Sequence, residues 1–221
     1  MHQHVKTSHA GRHLHRDLPQ TLAPAPSASV AASADIVLLV GSVTVAFSAL
    51  YFATDVIELL QGGFSTVQLG LTYAAEAAIP LFVLGLYALQ RPRIGRLGLV
   101  AALVYAYTFV FFTSTVVYAL VDHTRDWDAL TSAFGAWMPI HSALMVIAGI
   151  ALGVATVRAR VLPRWTGAAL VLGMILMTVA TVLPDVAQTL AAGVRDLAFA
   201  GMGAALLRES GLHRFWAGWT S

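Results

Sequence analysis

The chain has no cysteine. Disulfides, thiolate metal sites and cysteine nucleophiles are therefore excluded. It is also short of charge: 11% of its 221 residues are charged and 58% are hydrophobic, with a mean hydropathy of +0.75. Soluble domains carry about 25% charged residues, so a water-facing exterior is not expected. There is no phosphate-cradling glycine loop, no GxSxG, no HExxH and no basic patch suited to nucleic acid.

What the chain does have is long apolar runs. Segments 36–54, 97–121 and 165–184 carry no charge, and 130–157 contains a single ionisable residue, His141. A membrane-spanning helix needs about 20 mostly apolar residues, so the sequence predicts an all-α, six-helix transmembrane bundle. The expected helices cover 35–61, 66–90, 97–121, 131–157, 165–188 and 190–208. Gly62-Gly63, Pro92, the charged HTRDWD and Pro163 supply the breaks. The membrane domain is thus expected over 35–209. Before it, 1–34 reads as a disordered cytoplasmic tail that is His-rich and then Ala/Pro-rich, and 210–221 reads as a short cytoplasmic interfacial tail. Small residues precede the first apolar run instead of following it, so a cleaved signal peptide is not expected.

Orientation follows from the basic residues. With the N-terminus inside, Lys6, Arg12, Arg16, Arg91, Arg93, Arg96, Arg158, Arg160, Arg164, Arg208 and Arg214 are all inside, leaving outside only Arg125 and Arg195 of the 13. The positive-inside rule then predicts N-in and C-in, in a cytoplasmic (inner) membrane. Trp165, Trp216 and Trp219 fall at the inner interface and Trp127 and Trp137 at the outer one.

On this topology the acids gather in the outer half. Asp55, Glu58, Glu76, Asp122, Asp126, Asp128, Asp185 and Asp196 lie there, with only Asp17, Asp35 and Glu209 at the inner side. Polar residues also recur at helical spacing. Helix 1 carries Thr44, Ser48, Tyr51, Asp55 and Glu58. Helix 3 carries Tyr107, Ser114, Tyr118 and Asp122, and helix 5 carries Thr178, Thr181, Asp185 and Gln188. Lipid offers such stripes no partner, so they are expected to face the bundle interior or water.

Depth separates these residues. Glu76 falls about 3 Å outward of the middle of its helix and His141 about 5 Å, whereas Asp55 and Asp185 fall about 12 Å out. An ionised acid at the depth of Glu76 costs a few kcal/mol on insertion scales, which makes Glu76 the foremost candidate. Pro80, Pro139 and Pro184 add local irregularities in the same half, as broken helices at binding sites do. The expected pocket opens outward, with Glu76 and His141 deepest. Asp55, Glu58, Asp185 and Asp196 line its mouth, and Tyr51, Tyr118 and Thr181 form its wall.

Three functions compete. The leading one is binding or passage of a proton or cation, with Glu76 exchanging protonation. The second is a membrane-embedded metal hydrolase using His141 with Glu76, Asp185 or Asp196; a single His is a poor start for a catalytic zinc site. The third is a non-catalytic assembly or partner subunit, whose polar stripes specify packing. No cofactor is expected. The small-residue pairs Gly149/Gly153, Ala169/Gly173 and Gly201/Ala205 suit helix contacts within or between copies. In the tail, His2, His4, His13 and His15, with His9, form HxH-type pairs of a kind that bind metals weakly.

The stretches RARVLPRWTG and RPRIGRLG each place arginines and a glycine just before an apolar helix. In this the chain resembles uncharacterised small multi-helix membrane proteins of high-GC, actinobacterial-type bacteria. The resemblance covers about 36–209 and implies no particular activity.

Overall fold

The computed structural model describes residues 28–219, with side chains for 34–210. The tail histidines His2, His4, His9, His13 and His15 lie outside the described residues. Those residues form seven helices and no strand: α1 (Ala28–Gln61), α2 (Thr66–Gln90), α3 (Gly95–Asp122), α4 (Trp127–Phe134), α5 (Trp137–Ala159), α6 (Arg164–Ala180) and α7 (Asp185–Trp219). Five of them are long and apolar enough to cross a membrane: α1 from Ala34, α2, α3, α5 and α7 to Ser210. α6, with 17 residues, is about 25 Å long, against a hydrocarbon core of about 30 Å. The outward surface agrees with lipid as solvent. Leu81, Val110 and Ile147 are 71%, 61% and 66% exposed in the middle of their helices, on a scale that soluble surfaces avoid.

Several expected boundaries move, each for a local reason. α1 begins at Ala28, because the stretch ASVAASA is rich in the best helix former. α4 takes up the end of the loop expected between helices 3 and 4 and the first turn of the helix expected from 131. The Asp126 side chain caps it by accepting from the Ala129 N–H at 2.9 Å, and Gly135, at φ 53°, ends it. α5 consequently starts at Trp137. The helix expected to run to 188 stops at Ala180, and α7 opens at Asp185 directly after Pro184, whose carbonyl accepts from Ala187 N. The expected stripe Thr178, Thr181, Asp185, Gln188 is thereby divided between two helices.

The principal helix contacts run α1 to α2, α2 to α3, α3 to α5, α5 to α6, α6 to α7 and α7 back to α1. Six helices thus close a ring, and α4 lies against α5. The interior is filled by aromatic side chains. Phe82 of α2 and Tyr105 of α3 both contact Phe199 of α7, at centroid distances of 5.4 and 5.7 Å, and Tyr105 meets Phe109 at 5.1 Å. Glycines set how closely the walls approach. A Cβ on Gly153 of α5 would come within 2.7 Å of the Gly167 carbonyl oxygen of α6, and one on Gly167 within 2.6 Å of the Gly153 oxygen. These are backbone atoms and cannot swing aside.

The α5–α6 contact yields a prediction. Gly153→Leu should lower stability by about 1–3 kcal/mol through overpacking, read as a fall in the thermal unfolding midpoint in detergent. Gly70→Ala, where a Cβ meets nothing within 4 Å, should leave the midpoint unchanged or raise it.

Candidate functional site

The polar residues of α1 and α2 pair into two rungs. In the deep rung, the Tyr51 hydroxyl donates to Glu76 Oε1 at 2.9 Å. In the shallow one, Gln68 Nε2 donates to Glu58 Oε2 at 3.3 Å. Gln68, Thr72 and Glu76 recur every fourth residue and so share one face of α2. Gln68 Nε2 also donates to Thr72 Oγ1 at 3.1 Å, and the Thr72 hydroxyl to the Gln68 carbonyl. The rungs close from both sides: Tyr51 and Glu58 are two turns apart on α1, as Gln68 and Glu76 are on α2. Glu76 is buried to 4% exposure, and its Oε2 has no hydrogen-bond partner among the described residues. Gln68, at 2%, leaves its Oε1 equally unpartnered.

α7 contributes a buried guanidinium. Arg195 binds Asp196 through two hydrogen bonds, Nε to Oδ1 at 2.8 Å and Nη2 to Oδ2 at 3.0 Å, and lies 3.8 Å from Asp55 Oδ2. Its charged carbon sits 4.6 Å from the Tyr51 ring centroid, a cation–π distance. Gly173 of α6 makes room for this segment, because a Cβ there would come within 2.7 Å of Arg195 N. Tyr51 therefore touches both charges, giving its hydroxyl to Glu76 and its face to Arg195.

These groups line a cavity of about 390 Å³ at one end of the ring. Tyr51, Glu76 and Arg195 lie deep in it, and Asp55, Glu58, Asp126, Asp128 and Asp185 complete its acids. Phe64 N donates to the Arg125 carbonyl at 2.7 Å and ties the α1–α2 loop to the α3–α4 loop beside the mouth. Below, Tyr51 packs edge-on against Phe109, with ring centroids 6.1 Å apart, so the aromatic interior forms the floor.

Five of the nine expected pocket residues, Tyr51, Asp55, Glu58, Glu76 and Asp185, line this cavity. Asp196 lies behind it, holding Arg195 and bordering an apolar groove between α1 and α7. The other three lie elsewhere. His141 is buried on α5 in an aromatic nest, stacked 3.7 Å from Phe111, with Nδ1 2.9 Å from the Trp137 carbonyl and Nε2 3.3 Å from the Tyr107 hydroxyl. Tyr118 is exposed and donates to Asp122 on its own helix, and Thr181 is exposed and donates to the Thr178 carbonyl. The α3 stripe departs from the inward orientation expected of it. Tyr107 and Tyr118 face outward, and Ser114 satisfies its hydroxyl on the Phe111 carbonyl. Among the described residues, no three His, Asp or Glu side chains are grouped so as to hold a metal ion, so the ligand set imagined for a hydrolase is not assembled. Gln68, Thr72, Thr115, Asp126 and Asp128 join the lining without having been singled out as pocket residues. The four-residue spacing of Gln68 and Thr72 behind Glu76 was the available signal.

The chain matches no family model, no curated protein and no solved structure.

Removing one partner of a buried ion pair leaves the other charge uncompensated, at about 3–5 kcal/mol. Arg195→Met should therefore lower the unfolding midpoint strongly. Adding Asp196→Leu to it should recover part of the loss, a non-additivity that a double-mutant cycle reads directly.

Proposed function

We propose that this chain is a six-span protein of a bacterial cytoplasmic membrane, with both termini inside and a pocket that opens outward and binds a cation. α6 serves as the sixth span, since it packs on both α5 and α7 within the ring and is extended by the exposed apolar Val182 and Leu183. Arg91, Arg93, Arg96, Arg158, Arg160, Arg164 and Arg208 lie at the end away from the pocket, and the positive-inside rule assigns that end to the cytoplasm. The pocket then faces out.

Charge supports the cation. Six carboxylates, Asp55, Glu58, Glu76, Asp126, Asp128 and Asp185, line the cavity with one guanidinium, Arg195. Arg195 is already committed to Asp196 and Asp55. A cleft of one sign with low-dielectric walls focuses its field and concentrates the opposite charge. The observation that carries the reading is Glu76 Oε2, a buried acceptor with no donor among the described residues, on a side chain that lines the cavity. Leaving a buried polar atom unpaired costs about 1–3 kcal/mol, and a bound cation removes that cost. The aromatic floor makes this a one-sided site; passage through the bundle would require the ring to open.

The test is Glu76→Gln in the full-length protein in detergent. The unfolding midpoint of the wild type should shift with pH and added cation, whereas the variant keeps its helical circular dichroism and loses the shift. A variant that responds like the wild type would overturn the reading.

A further inference from the structure

Resting on the cation-binding reading, we propose that the pocket takes a short linear diamine, one ammonium at Glu76 on the floor and the other at Glu58 and Gln68 near the mouth. Two of the residues that line the cavity each bury an acceptor without a donor among the described residues, Glu76 Oε2 and Gln68 Oε1. They sit on one face of α2 eight residues apart, about 12 Å along the axis. One ion cannot serve both, and the absence of a three-ligand His/Asp/Glu group among the described residues removes the usual basis for a divalent site. An ammonium carries three donors and no acceptor, which matches the two oxygens left without donors, Glu76 Oε2 and Gln68 Oε1.

Geometry sets the length of the ligand. With each ammonium about 2.8 Å from its acceptor, the axial separation of Gln68 and Glu76 leaves roughly 6 Å between the two nitrogens, the span of a four- to five-carbon chain. The pocket also offers apolar surface to methylenes, since Leu69, Val116 and Met177 are among its lining residues. Asp55, which lies between the rungs on α1, is drawn to Arg195 and leaves the middle of the pocket without a free carboxylate. Volume agrees as well: about 390 Å³ falls in the range of small-molecule pockets, about 300–1,000 Å³, and far exceeds the needs of a bare ion.

The experiment is isothermal titration of the full-length protein in detergent, at fixed ionic strength, with cadaverine, pentylamine, sodium, potassium and calcium in turn. Cadaverine should bind saturably and roughly ten-fold or more tightly than pentylamine, the worth of one additional charge-assisted contact. Glu58→Gln should erase that advantage and leave pentylamine unaffected, while Glu76→Gln should weaken both amines. If Glu58→Gln fails to fold, Asp185→Asn at the exposed mouth should reduce the same advantage. Equal binding of cadaverine and pentylamine would overturn the two-headed ligand and leave the cation site standing. So would a Glu76-dependent response confined to metal ions or protons. No Glu76-dependent response to any cation or to pH would overturn both.

Discussion

The bundle depends on how it accommodates one buried arginine. Arg195 is 3% exposed, well inside α7, where neither lipid nor bulk water can solvate it. A charge in that position must find its partners within the protein. Asp196 supplies two hydrogen bonds from the neighbouring position, Asp55 reaches across from α1, and Tyr51 offers a ring face. Two of these three partners belong to α1, so satisfying Arg195 holds the last helix of the ring against the first. Gly173 permits this from the other side by letting α6 approach the backbone of Arg195. Charge and shape thus act together on one segment of α7, and the closure of the ring follows from that.

The acid-lined cavity is a consequence of the same arrangement. Once Arg195 draws Asp55 and Tyr51 inward, the remaining acids of α1, α2 and α7 surround the space above. At this end Gly62 and Gly63 turn tightly with positive φ, and α4, packed against α5, contributes Trp127, Asp128 and Leu130 to the lining. The opposite end has no such opening in its charge pattern, being rimmed by exposed arginines. The two ends of the molecule therefore differ in sign as well as in shape.

Helix existence was legible because apolar runs of about 20 residues admit few alternatives. The α1 stripe was legible as well, since Thr44 and Ser48 are buried and Tyr51, Asp55 and Glu58 line the cavity. Periodicity fixes which residues share a face; it does not say which neighbour that face meets. His141 shows the consequence. Its depth resembled that of Glu76, yet α3 stands between α2 and α5, and the imidazole is consumed by Phe111, Tyr107 and Trp137. The α3 stripe shows a second limit. A hydroxyl that bonds to its own helix backbone, as Ser114 does, no longer requires an inward position. At Pro184 the apolar character continues while the helix does not, so hydropathy alone joined what backbone chemistry separates.

Tyr51 is where the two halves of the site become one. Its hydroxyl is a donor to Glu76, and its ring is the surface over which the Arg195 guanidinium lies. Any change in the charge at Glu76 alters the polarisation of that hydroxyl and the field at Arg195, because low-dielectric surroundings screen charge far less than water does. Arg195 in turn is shared unequally between a tight partner, Asp196, and a looser one, Asp55, whose separation of 3.8 Å leaves room to shorten or lengthen. The looser partner is the one on α1, at the contact that closes the ring. The deep acid is therefore linked, through Tyr51 and Arg195, to the α1–α7 seam, the part of the bundle whose packing Arg195 already governs.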